Sequence, residues 1–282
     1  MDLIRLNAFP SVAASAISTL VTDELIDTAL HALYFERGGG AFTNAHLDNI
    51  RVRVDGKDIV NGISGAQLVD INEYDGLPDV TDYTVLFFGD PTARTIRGEH
   101  LGDIDFSVYR APIEIEVEIG AATTPSLQVY AQVSPVGKQA LGIGYNNIEA
   151  ATFRALVRTV ITPSAAVTRQ TYGLSIGSSA GARLRRAWFF HSNLNSVELK
   201  KSSLTKWDDI SDALNNAVQQ QFARTPQGGL YVLDRIMDGN QGESEPTVRP
   251  DGRPWNMQLA LSTSAADTIT AFADLFITHP QL

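Results

Sequence analysis

Between Ile113 and Ile119 every second residue is aliphatic, and the residues between them are Glu114, Glu116 and Glu118. Such alternation sorts apolar from charged side chains onto two faces only in a β-strand, because a helix would spread both around its circumference. The pattern recurs. Ile50, Val52 and Val54 alternate with Arg51 and Arg53, and Leu127, Val129, Ala131 and Val133 alternate with Gln128, Tyr130 and Gln132. Residues 83–88, 230–233, 257–261 and 269–277 are also strand-like. The separators, GDPTARTIRGEHLGD and MDGNQGESEPTVRPDGRP among them, are rich in the Gly, Pro, Asp and Asn of loops. Short strands joined by long polar loops predict an all-β, antiparallel sandwich.

Two segments have helical spacing instead. In one, Trp207, Ile210, Leu214, Val218 and Phe222 recur at steps of three and four. Thr205 and Asp208 stand in the positions of a capping box, and Pro226 and Gly228 follow the pattern, so an amphipathic helix is predicted with Trp207 and Leu214 on its buried face. The shorter segment starts with Ser64 and Gln67 in capping-box spacing, turns Leu68 and Ile71 inward and ends by Gly76.

These elements appear twice in one order: strand, capped helix, strand, long polar loop, two further strands. Ile50 and Val197 lie 147 residues apart, the helix starts 141, and the last two strands 144 and 142, while half of the 282-residue chain is 141. Recurrence at nearly one offset predicts an internal duplication, with an N-terminal domain over 1–137 and a C-terminal domain over 138–282. The join is expected within SPVGKQALGIGYN, residues 134–146.

Composition excludes several functions. With 22 Lys and Arg against 32 Asp and Glu, the net charge of −10 repels nucleic acid phosphate. The absence of Cys removes disulfides, thiolate metal sites and cysteine nucleophiles. The opening MDLIRLNAFPSVAASAISTL lacks a basic start and an unbroken apolar stretch, and no later run reaches 18 apolar residues, so a soluble, unanchored product without a signal peptide is expected.

Gly177-Ser178-Ser179-Ala180-Gly181 matches the G-x-S-x-G turn of serine hydrolases, and His279 follows in the right order. The residues after Gly181 start no helix, however, and a turn of small residues is the expected reading. Glu114, Glu116 and Glu118 share one strand face, as paired carboxylates of glycoside hydrolysis would. Alternation makes them the polar side of a strand, with Arg51 and Arg53 as cross-strand or intersubunit partners. His31, His46, His100, His191 and His279 contain no HExxH and no i, i+4 pair, which disfavours zinc. Asp234, Asp238, Asn240, Glu243 and Glu245 are rich in oxygen but lack the EF-hand order, so a solvated loop is expected. Gly38-Gly39-Gly40 reads as a turn, and Arg183, Arg185 and Arg186 as a basic surface cluster. No catalytic or cofactor-binding residue is assigned, and metal ligands are left unassigned.

AFTNAHLDNIRVRVDGK at 41–57, ISGAQLVDINEYDGL at 63–77, TIRGE at 95–99 and IEVEIGAA at 115–122, with NAFPSVA at 7–13, resemble the major coat protein of corticoviruses. These are tailless, icosahedral double-stranded DNA bacteriophages with a membrane inside the shell. The motifs span roughly residues 5–135, and the second half follows by length and strand pattern. The resemblance implies a double jelly roll, two tandem eight-stranded antiparallel sandwiches with one short helix per half. It further implies a homotrimer of six similar lobes and pseudo-hexagonal outline, tiling facets beside neighbouring trimers, with loops 89–105 and 238–254 on one rim. Minor capsid and vertex proteins, membrane lipids or membrane proteins are the implied partners, with no direct contact to nucleic acid. The implied location is the virion capsid, after synthesis in the bacterial cytoplasm. Calcium dependence of the particle is implied as well, and the excess of ten negative charges makes divalent ions bridging acidic surfaces between subunits the expected arrangement. A β-sandwich hydrolase using Glu114, Glu116, Glu118 or Ser179 is one alternative. A carbohydrate-binding jelly-roll module is another, although Trp188, Trp207 and Trp255 are scattered along the chain rather than clustered.

Overall fold

Alternating apolar side chains can leave water only if two sheet faces close on each other, and each half of the chain does this with two layers of four principal strands. The computed structural model describes residues 1–93, 96–134, 152–174, 176 and 182–278, and these form two compact units. The first comprises the described residues within Met1–Glu73 and Leu77–Ala155, with Thr278, and the second those within Tyr74–Gly76 and Leu156–Ile277.

In the first unit, β1 (Asp2–Arg5), β9 (Thr123–Ser134), β3 (Ala29–Gly40) and β6 (Tyr83–Phe87) lie side by side in that order. The facing sheet runs β2 (Ala16–Thr22), β8 (Ile113–Ile119), β4 (Leu47–Val54), β5 (Lys57–Ile63). The second unit repeats the plan. One sheet runs β10 (Thr152–Ile161), β18 (Ile269–Thr278), β12 (Arg183–Phe190), β15 (Leu230–Asp234), and the other β11 (Val167–Tyr172), β17 (Met257–Thr263), β13 (Leu194–Lys201), β14 (Leu204–Ser211). If the eight strands of each unit are lettered B to I in chain order, both units read BIDG and CHEF, the strand order of a jelly roll. The helix between the fifth strand F and the sixth strand G is duplicated too: α1 (Gly65–Tyr74) follows β5, and α4 (Asp212–Gln221) follows β14.

Strand faces follow the alternation. Ile50, Val52, Val54, Ile113, Ile115, Val117 and Ile119 are buried in the first unit, and Leu184, Val197, Leu199, Leu259, Leu261, Ala271 and Leu275 in the second. Helix α1 begins as its spacing predicts, with Ser64 N donating to Gln67 Oε1 at 3.0 Å and Gln67 N to Ser64 Oγ at 3.2 Å, over a buried Leu68 and Ile71.

Helix α4 differs from expectation. Thr205, Trp207, Asp208 and Ile210 belong to strand β14, and the N-cap is Ser211, whose Oγ accepts from Leu214 N at 3.3 Å. The buried face is polar: Asn215 Nδ2 and Gln219 Nε2 both donate to Val232 O, at 2.9 and 2.7 Å. Leu214 points outward and is 51% exposed. A carbonyl of β15 that needs donors, rather than an apolar surface, decides which side of the helix turns inward.

Loop 89–105 also holds more structure than its composition suggests, namely α2 (Ile96–His100) and the short strand β7 (Ile104–Asp105), followed by α3 (Phe106–Tyr109). Among the described residues the first unit thus carries α2 and α3 in addition to the expected α1. Gly38–Gly40 forms no turn; it is the end of β3, paired with Thr123–Ser126 of β9. Gly39 has φ +96° there, and a Cβ would stand 2.0 Å from Thr124 O, so only glycine fits.

Candidate functional site

The two units share one irregularity. Strand β3 pairs with β9 through Leu30↔Val133 and then Ala32↔Gln132, so His31 is an extra residue; β12 pairs with β18 through Leu184↔Leu275 and then Arg186↔Asp274, so Arg185 is the extra residue. Each is the third residue of strand D, the third strand of its unit, and the bulge re-aims its side chain. In both units that side chain is buried and meets the loop that follows strand G.

In the first unit His31 meets His100, at the end of α2, and Asp103. His31 Nδ1 lies 2.5 Å and His100 Nδ1 2.9 Å from Asp103 Oδ2, and the two Nδ1 atoms are 3.1 Å apart. His31 Nε2 is 3.1 Å from Ser134 Oγ, and all four residues are buried. Phe88 N and Gly89 N both donate to His31 O, at 2.8 and 3.2 Å, which seats the start of the loop on the same strand. Absence of an i, i+4 pair disfavoured zinc, but the fold assembles His31 with an i, i+3 pair from a remote loop. Among the described residues this is the group of three whose ligand atoms all lie within 4.8 Å of one another.

In the second unit Arg185 and Arg186 of β12 are buried and Arg183 is half-buried, so the three are not a surface cluster. Arg183 Nε donates to Ser244 Oγ at 2.8 Å, Arg185 Nε to Gln241 Oε1 at 3.1 Å, and Arg185 Nη1 pairs with Asp274 at 3.2 Å. Arg186, 2% exposed, donates through Nε to Asp234 Oδ2 at 3.0 Å and through Nη1 to Asp75 Oδ2 at 2.8 Å. Arg224 Nη1 binds the other oxygen of Asp75 at 2.7 Å, and Tyr74 OH donates to Asp234 Oδ2 at 3.0 Å. Burial opposes charge at Arg186, yet Asp234 and Asp75 outweigh it and hold its pKa up, while burial beside Asp234 pushes the Tyr74 hydroxyl up. Two carboxylates held between two guanidiniums and a tyrosine hydroxyl form a structural lattice.

The oxygen-rich loop does not converge on a cation. Asp234 is held by Arg186 and Tyr74, and Glu245 by Lys201 at 2.6 Å, both acids being buried rather than solvated. Asp238 Oδ1 and Asn240 Oδ1 accept from the loop's own amides, Asn240 N and Gly242 N. Calcium therefore has no ligand set in this stretch. The glutamates of β8 form a cross-strand ladder: Glu114 pairs with Arg53, Glu116 with Arg51 at 3.1 Å, and Glu118 accepts from Asn49 at 3.4 Å. Every acid of the row faces a donor on β4, and none is left as a paired acid and base. Gly177–Gly181 with Ser179, and His279, lie outside the described residues, as does all of the expected join except Ser134. His46 Nδ1 and His191 Nδ1 accept from nearby backbone amides. Trp188 is fully buried, Trp207 donates to Tyr231 OH at 2.8 Å, and Trp255 is flanked by Lys201 and Arg249. They offer no exposed aromatic platform for a sugar.

The outer strands complete the picture. Ile17 and Val21 on β2, the end strand of its sheet, are 63% and 58% exposed, although alternation would let that face be polar. Neither β11 nor β14, the end strands of the second CHEF sheet, has a buried residue.

This chain is similar in structure to the major capsid protein P2 of bacteriophage PM2, with a TM-score of 0.82, 15% identity, and 99% of this chain and 98% of that one covered. It also resembles the STIV major capsid protein, from Sulfolobus turreted icosahedral virus (TM-score 0.67, 10% identity, 99% and 98%), and the PBCV-1 virus capsid (0.57, 11%, 99% and 94%). At these identities the likeness establishes the fold, that of double jelly-roll capsid proteins. No curated protein sequence matches significantly. The model of the viral coat protein P2 N-terminal domain matches residues 3–134, and that of the P2 C-terminal domain residues 154–277. Both domains of one family, in order and over most of the chain, show that it belongs to the viral coat protein P2 family and is a structural, non-enzymatic component of a virion capsid.

Proposed function

We propose that the chain assembles as a homotrimeric capsomer that tiles an icosahedral shell around an internal membrane in a phage of bacteria. Membership of the coat protein family carries the reading, and three features support it. Two sandwich units of one plan in each chain give six in a trimer, so a threefold block could take six neighbours. The exposed Ile17 and Val21 on β2 are costly on a free strand and useful at a closed threefold contact. The net charge of −10 suits a shell separated from its genome by lipid and argues against direct contact with nucleic acid. Minor capsid proteins at the vertices and lipid or membrane proteins beneath are the further partners of this reading; calcium is given no ligands in it.

Cryo-electron microscopy of purified particles tests the proposal. It predicts pseudo-hexagonal capsomers, three chains each, over a bilayer-thick inner layer. Capsomers of one, five or six chains, or density for nucleic acid directly against the protein shell, would contradict it.

A further inference from the structure

We propose that His31, His100 and Asp103 form a buried site for one divalent transition-metal ion, zinc in the first instance, which pins the loop after β6 to the bulge of β3. Three lone-pair atoms, His31 Nδ1, His100 Nδ1 and Asp103 Oδ2, sit 2.5, 2.9 and 3.1 Å from one another. Ligands on one face of a tetrahedral ion with bonds of about 2.0–2.2 Å are about 3.3–3.5 Å apart, so the triangle is a contracted coordination face that opens by less than about 1 Å per edge.

The surroundings are those of a metal site. Ser134 Oγ, 3.1 Å from His31 Nε2, can take the proton of that nitrogen and so leave Nδ1 as the ligand; a hydrogen-bond partner on the other ring nitrogen is the usual companion of a metal-bound histidine. The other carboxylate oxygen, Asp103 Oδ1, is buried and accepts no hydrogen bond among the described residues, and a Cβ at Gly89 would come within 2.6 Å of it. A buried carboxylate with one unpartnered oxygen is the exception in a folded interior and leaves room for a further ligand-ion contact. Comparison of the two units sharpens this. The bulge of β12 brings its own permanent cation, Arg185, to Asp274, whereas the same bulge of β3 brings an imidazole, which binds a cation. Two nitrogens and one oxygen favour zinc or a neighbouring transition metal over calcium or magnesium, which take oxygen cages. The site is independent of how the subunits assemble.

The test is metal analysis of the purified full chain. One zinc per chain is expected as purified; protein grown in cobalt should show the visible absorption of four-coordinate Co²⁺, and His100→Gln and Asp103→Asn should bind at least tenfold more weakly. Because buried substitutions can impair folding, the unmodified protein supplies a second readout. Its melting temperature should fall after chelation and recover with Zn²⁺ but not with Ca²⁺. Wild-type protein that holds no stoichiometric metal and takes up neither Zn²⁺ nor Co²⁺ would overturn the proposal. So would zinc at full stoichiometry in His100→Gln, which would place the ion elsewhere.

Discussion

Arg186 shows what a buried charge does in this fold. Its guanidinium is bonded to Asp234 and Asp75 and lies 5.3 Å from the ring of Trp188, so removing it strands two carboxylates in the interior. Arg186→Met is expected to cost about 3–5 kcal/mol in chemical denaturation, and a loss under about 1 kcal/mol would show that the lattice is not coupled to stability. Glu245 gives a pH prediction. Burial works against its charge, but the bond to Lys201 and the fields of Lys201, Lys206 and Arg235 outweigh it, and its pKa lies below the ordinary 4.5. A depressed folded pKa contributes stability that is present above the unfolded value and lost as pH falls through the folded one. Glu245→Gln should therefore lower the melting temperature at pH 7 and do so progressively less below about pH 4.5; a difference independent of pH would refute the pairing. Neither cluster was legible in the sequence. Arg185 and Arg186 look like surface charge until Asp274 and Asp234 are folded against them, and His31 is 69 residues from His100. Only the i, i+3 spacing of His100 and Asp103 was local.

At the scale of elements, strands were legible because a half-buried strand must alternate, and Ile113–Ile119 and Leu127–Val133 fall in β8 and β9 as read. Helix α1 was legible from Ser64 and Gln67, a cap that is complete within four residues. Helix α4 was half legible. Its apolar spacing ran on into β14, where Trp207 and Ile210 happen to keep steps of three and four, and its inward residues are polar. Two substitutions separate the alternatives. Ser211→Ala should cost about 0.5–2 kcal/mol through loss of the cap, while Leu214→Ala should change stability by no more than about 0.5 kcal/mol. The reverse order in thermal melts would restore a helix beginning at Thr205 with Leu214 in its core.

On the scale of the whole chain, duplication was legible as order and offset rather than identity. Strands β4 and β13 begin 147 residues apart, β8 and β17 144, and the helices α1 and α4 147, so structure preserves a spacing that side chains have largely lost. The shared bulge at His31 and Arg185 shows how far the copies have diverged within one frame. How copies of the chain meet leaves a fainter trace, in exposed apolar residues on end strands. If β2 lies in a subunit contact, Ile17→Lys with Val21→Lys should lower the assembled mass while leaving the circular dichroism of the sandwich unchanged, since both side chains already face outward. An unchanged mass would remove β2 from the interface. The central claim, a coat protein that works by closing on itself three times, is tested most directly by light scattering on the purified chain. The account predicts ~92 kDa, three chains of 30.6 kDa; a mass of 30.6 kDa at every concentration measured would contradict it.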